Sequence, residues 1–345
     1  MAKLMGEKVQ TYSIGFNNKL FDEAHYARAV AKHLGTNHRE EIINPDPKFI
    51  VEKIASVLDQ PFADPSIIPT YLLAKFAREN LVVALGGDGG DEIFGGYDRY
   101  LAVPILQKFN PALGISRLGL DLISIGSLKQ NRKLKRLRGQ LHFKNSLGER
   151  YLSVQSLTGE PELSKLLTPD FQTGAISAEF LNNFKRGEDL SEIDQLVRSD
   201  LHYYLPGDIL VKMDLASMAN GLEVRSPFLD VNVVEWGLSL PDRYRIKGSE
   251  TKHILKDVAR SLVPAELIDR PKMGFGVPTS DWLRTGLKEM VYDTLTDNAC
   301  AQRGWFEQAE VKKLIGLHMA GEDRDRQLWP MLMLELWAKS WLDHK

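Results

Sequence analysis

A single cysteine in 345 residues, Cys300, leaves the chain without an internal disulfide framework or a multi-cysteine metal site. Thr296, Asp297 and Asn298 lead into it and nothing beside it would activate a thiol, so Cys300 reads as a packing residue. Long apolar runs are missing too. The most apolar late segment, residues 329–337, is too short to span a bilayer and carries Glu335. Residues 1–10 have no apolar stretch of the kind a secretory signal needs, and a soluble cytoplasmic protein is expected. Neither charge sign is in excess. The formal net charge is −2, so neither a nucleic acid nor a membrane is expected as a partner. One basic stretch, residues 129–144, holds Lys133, Lys135, Arg136 and Arg138 and reads as a solvated helix face.

What is present is ordinary globular material: 43% hydrophobic, 26% charged and 9% aromatic residues, in a length that suits two domains. The first hundred residues alternate between two periods. Residues 9–16 read as a buried strand. Asp22 opens a helix whose apolar side is Tyr26, Ala27, Val30 and Leu34, and Gly35 stops it. Residues 39–43 form a second strand ended by Asn44-Pro45, and Phe49, Ile50, Ile54, Val57 and Leu58 recur at helical spacing. After a proline-rich break, a helix over residues 70–79 leads to Leu81-Val82-Val83-Ala84-Leu85. That continuous apolar run is expected of a strand buried on both faces of a parallel sheet. Alternating strands and helices predict a doubly wound α/β unit over residues 1–105. Residues 106–345 read as overwhelmingly helical, with helices over 201–215, 251–262, 282–295 and 326–342. Three strands make a thin sheet for this class, which suggests that an amino-terminal piece lies outside the chain.

The most informative segment is residues 85–92, LGGDGGDE, directly after that third strand. Four glycines in five positions let a backbone approach a ligand closely, and in open α/β sheets the ligand crevice lies beyond the carboxyl ends of the strands. Asp88, Asp91 and Glu92 would repel a nucleotide's phosphates unless a cation such as Mg²⁺ sat between them. A tight turn with an acidic helix start explains the same residues structurally. The loop has neither the Walker lysine nor the Rossmann glycine spacing. Two later segments also concentrate polar groups. Residues 219–230 place Glu223, Arg225 and Asp230 around a Pro-Phe-Leu core, which could equally be a structural ion pair. Residues 251–255 set Lys252 and His253 side by side at the start of a helix, pointing about 100° apart. A solvated lysine and a packing or capping histidine are the plain alternatives there.

Taken in order, residues 59–70 (DQPFADPSIIPT), 85–97 (LGGDGGDEIFGGY), 212–230 (KMDLASMANGLEVRSPFLD), 252–255 (KHIL) and 270–278 (RPKMGFGVP) resemble the successive signature blocks of the glutamine-dependent asparagine synthetases. The resemblance covers almost the whole chain. It implies an ATP-pyrophosphatase-like (adenine nucleotide alpha hydrolase-like) parallel-sheet domain followed by a mainly helical region that completes the site. It also implies a reaction: ATP adenylates the side-chain carboxylate of aspartate, and ammonia released from glutamine by a separate glutaminase domain displaces AMP from β-aspartyl-AMP.

By the same resemblance Ile14 would contact adenine through its backbone, and Gly86 and Gly87 would contact the nucleotide. Asp88 would act in adenylate formation and in handling ammonia, and Asp91 would hold Mg²⁺. Lys252 would stabilise charge on the adenylating phosphate, while Tyr97, Glu223 and Arg225 would line or brace the pocket. A carboxylate attacking a phosphate is a meeting of anions, which agrees with a need for Mg²⁺ and a lysine. The sequence departs from the family pattern at three places. Gly86 stands where serine is common, and Leu215 where arginine commonly follows the Asp214 position. The family's first loop, Ser-Gly-Gly-x-Asp-Ser, is not found, nor is a cysteine nucleophile at position 2, where Ala2 stands. The chain is therefore expected to be a fragment or split partner, inactive by itself. Two alternatives remain open: a relative that adenylates another carboxylate, and an inactive remnant that only binds a partner.

Overall fold

The computed structural model describes residues 1–5, 8–16, 22–108, 146–172, 175–269 and 276–343. The basic stretch at 129–144 lies outside them, as do residues 270–275 of the last signature block.

The local signals place the first two strands and the helix between them as read, although β1 is buried only at Ile14 and Gly15. Strand β1 (Gln10–Phe16) and strand β2 (Asn37–Ile43) pair in parallel, Ile14 opposite Glu41. Helix α1 (Ala24–Leu34) runs between them. Asp22 Oδ1 accepts the Ala24 N–H at 3.1 Å, and Gly35 closes the helix at φ +67°, a left-handed conformation that glycine adopts without a Cβ penalty. Asp46 caps helix α2 (Pro47–Val57) through the Phe49 N–H at 2.8 Å, with proline at the position whose N–H would be unpaired anyway. Helix α3 (Ile67–Arg78) follows and leads to strand β3 (Val83–Leu85).

Two expectations about the sheet need correcting. The strands do not form one sheet among the described residues; they form two parallel pairs, β1–β2 and β3–β4. Strand β4 is Glu223–Arg225, in the part of the chain read as helical, with Leu85 opposite Arg225. Nor is β3 buried on both faces. Ala84 packs with Ala74, Ala77, Leu222, Val224 and Tyr12, while Val82, Val83 and Leu85 are 63%, 41% and 51% exposed. Tyr12 belongs to β1, so one face of α3 carries residues of both sheets and holds them side by side.

Short helix α4 (Gly90–Phe94) and helix α5 (Arg99–Lys108) follow β3. Helices α6 (Leu147–Gln155) and α7 (Glu192–Ser199) pack with α5 around Tyr100, Val103, Tyr151, Phe180, Phe184, Leu196 and Val197. The helix expected over 201–215 is in two parts, a π-helical segment (Asp200–Ile209) and helix α8 (Leu210–Met218). Pro206 lies inside the first part, where it removes one N–H donor and crowds the preceding turn; a wider turn relieves both. Helices α9 (Val231–Ser239), α10 (His253–Arg260) and α11 (Ala265–Ile268) lie near α4 or α10 in turn. The carboxyl-terminal helices α12 (Lys288–Leu295), α13 (Gln308–Met319) and α14 (Asp325–Trp341) share a core with α2 and α3, centred on Ile54, Leu58, Ile68, Val291, Ile315 and Leu332. Cys300 is fully buried there, as a packing residue should be, and burial followed by the nearby Glu335 pushes its thiol up to about 12. The helix expected over 282–295 breaks at 285–287, between residues 279–284 and α12. Among the described residues no helix is long and apolar enough to cross a membrane.

Candidate functional site

The glycine-rich loop lies at the carboxyl ends of β3 and β4. The Gly86 N–H donates to the Arg225 carbonyl at 2.8 Å, so the loop leaves the sheet from a fixed point. Gly89 then turns at φ +86°, and a Cβ there would meet Leu229 Cδ2 at 2.3 Å. Glycine is required at 89 on both counts. At Gly86 a Cβ would lie 3.0 Å from Asp88 Oδ2 and 3.1 Å from Val224 Cγ1, so a side chain there would need both neighbours to yield slightly.

Asp91 begins α4 and is held from two sides. Lys252 Nζ lies 3.0 Å from Asp91 Oδ1, and both side chains remain about 30% exposed, at 30% and 28%. Behind the carboxylate sits Gly96, whose N–H donates to the Asp91 carbonyl at 2.7 Å; a Cβ on Gly96 would fall 1.8 Å from Asp91 Oδ1. Gly96→Ala is therefore expected to lose about 1–3 kcal/mol in urea unfolding through overpacking. Gly87→Ala, whose Cβ would meet nothing within 4 Å, is expected to stay within about 0.5 kcal/mol of the parent. Equal losses in the two variants would show that Asp91 is not gripped in this way.

Asp88 accepts the Ser226 hydroxyl at 3.2 Å. Burial raises its carboxyl above the usual range, against the hydrogen bond from Ser226 and the charge of Lys212. The next acid, Glu92, is only 2% exposed and accepts the Tyr97 hydroxyl at 2.5 Å; burial raises it too. Tyr97 is thereby a brace under α4, with the Arg99 guanidinium 3.7 Å from its ring centroid.

Three carboxylate-and-lysine positions went unread in the sequence although two lie inside signature blocks. Asp64 accepts Lys212 Nζ at 2.9 Å across 148 residues of chain. Burial alone would raise Asp64, yet the Lys212 charge and hydrogen bond hold it below its ordinary value. Asp208, one turn before Lys212, faces Asp64. Burial first, then the Asp64 charge, push Asp208 up to about 7, against Lys212 and Arg99. The folded chain thus binds a proton at Asp208 that the unfolded chain releases near 3.8. Its contribution to stability is full below the unfolded value and is lost as pH rises through about 7. Asp208→Asn removes that loss. It should be more stable than the parent by on the order of 2 kcal/mol at pH 8 and equal to it at pH 4, read by thermal unfolding at both pH values. A gain of the same size at pH 4 would show that charge is not the cause.

Asp88, Asp91 and Lys252 therefore come together at one loop. Lys252 is not within a helix, as its sequence suggested; it precedes α10 with φ +54°, the one non-glycine residue of positive φ among those described. His253 is the first residue of α10 and makes no cap; its Nδ1 lies 2.5 Å from Glu250 Oε2. Gly87 lies in the same loop. Ile14 is buried in β1, in the other sheet. The side chains of Glu223 and Arg225 are exposed and pair with each other at 2.7 Å, so from this geometry it is the Arg225 carbonyl that reaches the loop. Among the described residues no group of three His, Cys, Asp or Glu side chains could hold a metal ion. The loop offers two partly exposed carboxylates, Asp88 and Asp91, and the latter suits Mg²⁺ whose other ligands are phosphate oxygens and water.

A mixed α/β protein with parallel strands and a glycine-rich loop, carrying an acid and a lysine at the strands' carboxyl ends, is the class that fold and site define. The asparagine synthase family model matches residues 1–339, and the chain belongs to that family. It is 30% identical to asparagine synthetase [glutamine-hydrolyzing] 1 of Bacillus subtilis (strain 168), over 98% of this chain and 53% of the relative. Asparagine synthetase [glutamine-hydrolyzing] 3 of the same organism is 25% identical over 84% of this chain and 45% of its own length. The Homo sapiens asparagine synthetase [glutamine-hydrolyzing] is 24% identical over 88% and 41%. The chain spans about half the length of the curated relatives it matches.

Proposed function

We propose that these residues form the synthetase half of a cytoplasmic ATP-dependent ligase that converts aspartate to asparagine, built on an ATP-pyrophosphatase-like sheet in residues 1–105 and completed by the helical residues 106–345. The observation that carries the reading is the approach of Lys252 Nζ to Asp91 Oδ1, 3.0 Å apart at the mouth of the glycine-rich loop. An aspartate side-chain carboxylate attacks the α-phosphorus of ATP, the bond to pyrophosphate breaks, and β-aspartyl-AMP forms. Ammonia, supplied from glutamine by a glutaminase domain outside this chain, then attacks the acyl carbon and AMP leaves.

The chain's own groups fit this sequence. The loop 87–89 would let backbone N–H groups face phosphate oxygens, and Ile14 lies in the carboxyl-terminal half of β1, where a base could be held through its backbone. Lys252 neutralises charge building on the transferred phosphate. Asp91 would help hold Mg²⁺, which offsets negative charge on the phosphates when bound. Asp88, with its affinity for a proton raised by burial, is suited to accept one from the attacking ammonia. Tyr97 braces α4, and Glu223 and Arg225 fix the sheet edge beneath the loop. The Asp64–Asp208–Lys212 group presents both charge signs, as recognition of an amino acid's ammonium and carboxylate requires.

The test is isotopic. Aspartate carrying ¹⁸O in its side-chain carboxylate should pass one label to the phosphate of AMP, in a polypeptide that joins these residues to the amino-terminal half its relatives carry. Label in inorganic phosphate instead would mean attack on the terminal phosphate and would sink the proposal.

A further inference from the structure

Lys252 occupies a conformation that costs free energy for any residue with a Cβ, and strained residues persist only where their surroundings over-determine them. Its side chain makes no cap to α10, so the strain is not relieved by capping. What holds it lies on either side. Two residues earlier, the Glu250 backbone exchanges both hydrogen bonds with Lys247, each 3.0 Å, around a turn in which Gly248 has φ +62°. The Glu250 carboxylate then reaches forward across Lys252. Oε2 meets His253 Nδ1 at 2.5 Å, and Oε1 accepts Arg260 Nη2 from one helix length away. Arg260 is itself fixed by Asp269 at 2.5 and 3.1 Å, at the end of α11, and by Asp257 at 2.9 Å. Asp257 closes the ring with His253 Nε2 at 3.5 Å. Residues 250 and 253 are therefore anchored to each other and to two helices. Thr251 and Lys252 must span the fixed gap between them.

We infer that Glu250 is a positioning residue: its carboxylate clasps the start of α10 and so holds Lys252 in the left-handed conformation that carries its ammonium to Asp91. The inference rests on the proposed role of Lys252 at the nucleotide's phosphates, but the clasp is a separate structural claim. Exposed ion pairs contribute little to stability singly, and this ring is partly open to water. Its function is placement of one side chain.

The experiment begins with a crystal structure of the 345-residue chain carrying Glu250→Ala. The expected result is a negative φ at Lys252 and an Nζ–Asp91 separation beyond about 4 Å, the limit of an ion pair. Glu250→Gln keeps the length and one acceptor oxygen for Arg260, its NH₂ can donate to an unprotonated His253 Nδ1, and it should retain the left-handed geometry. In the polypeptide that includes the amino-terminal half, Glu250→Ala should lower kcat for aspartate-dependent pyrophosphate release by about 10², as a misplacement of about 1 Å can, with little change in the KM for ATP. Glu250→Gln should restore most of it. Should Glu250→Ala not fold, Arg260→Ala opens the same clasp from the other side and is read in the same two ways. Lys252 keeping its positive φ and its contact with Asp91 in the opened variants would overturn the inference. An unchanged kcat in Lys252→Ala would instead overturn the proposed role of the lysine, so the two failures are distinguishable.

Discussion

If the proposed function holds, the 345-residue chain, given ATP, Mg²⁺, aspartate and ammonium, is expected to release no measurable pyrophosphate, whereas the same residues preceded by the proposed amino-terminal half are expected to release it in proportion to aspartate. The reason is local to the sheet. Two parallel pairs lie against one face of α3, and among the described residues β1 and β3 are each hydrogen-bonded along one edge only. Parallel sheets are stable when covered on both faces and paired across, yet Val82, Val83 and Leu85 are exposed where a further strand and its covering would lie. The sequence also holds the glycine-rich loop at residues 86–90 and no Ser-Gly-Gly-x-Asp-Ser. Losing a single preorganised donor typically lowers a rate by on the order of 10²–10³, and a whole loop should lower it further. A pyrophosphate-release assay on both polypeptides is the measurement. Robust turnover by the 345 residues alone would show that the site is already complete.

Legibility in the sequence followed the range of each interaction. Strands β1 and β2 and helix α1 were readable because their signals are local: apolar runs, Asp22 at the start of the helix, Gly35 at its end. Strand β4 was not. Glu223-Val224-Arg225 is too short to show a period, and it is a strand only because β3, 140 residues earlier, pairs with it. The same distance hid the Asp64–Lys212 pair, whose two members lie in different signature blocks and carry no local mark of each other. Asp208 stands within a π-helical turn around Pro206, a geometry that helical periodicity cannot distinguish from an ordinary helix. At Lys252 the sequence suggested the wrong backbone. Thr-Lys-His-Ile-Leu has helical spacing, and nothing in those five residues announces a left-handed lysine held by Glu250 and Arg260. Asp88 and Asp91 drew attention through the four glycines around them, although the turn and acidic helix start read as the structural alternative are what the chain forms, with α4 beginning at Gly90. The exposure of Val82 and Val83 was not legible, since an apolar run looks the same whether or not its neighbours are in the chain.

In the polypeptide that includes the amino-terminal half, Asp91→Asn and Lys252→Met are each expected to lower aspartate-dependent pyrophosphate release by about 10³ or more while leaving the fold intact. Both side chains are partly exposed and paired with each other, so removing one charge breaks an ion pair of the kind that contributes about 0–1 kcal/mol. Thermal unfolding should move by no more than a few degrees. The chemistry is less forgiving. Adenylation brings a carboxylate to a triphosphate, and charge on the leaving pyrophosphate must be offset where it develops. On the proposed reading Lys252 would supply a positive charge at that place, and Asp91, 3.0 Å from its ammonium, would orient the lysine and serve as an oxygen ligand for a Mg²⁺ carried in by the nucleotide. Each change removes a group from one shared arrangement, so the double variant should be little worse than either single one, as expected for residues acting as a unit. Additive losses would place the two residues in separate roles. A variant at Asp91 that retained the parent rate would remove the carboxylate from the site altogether, and with it the reading of this loop as the place where phosphate charge is held.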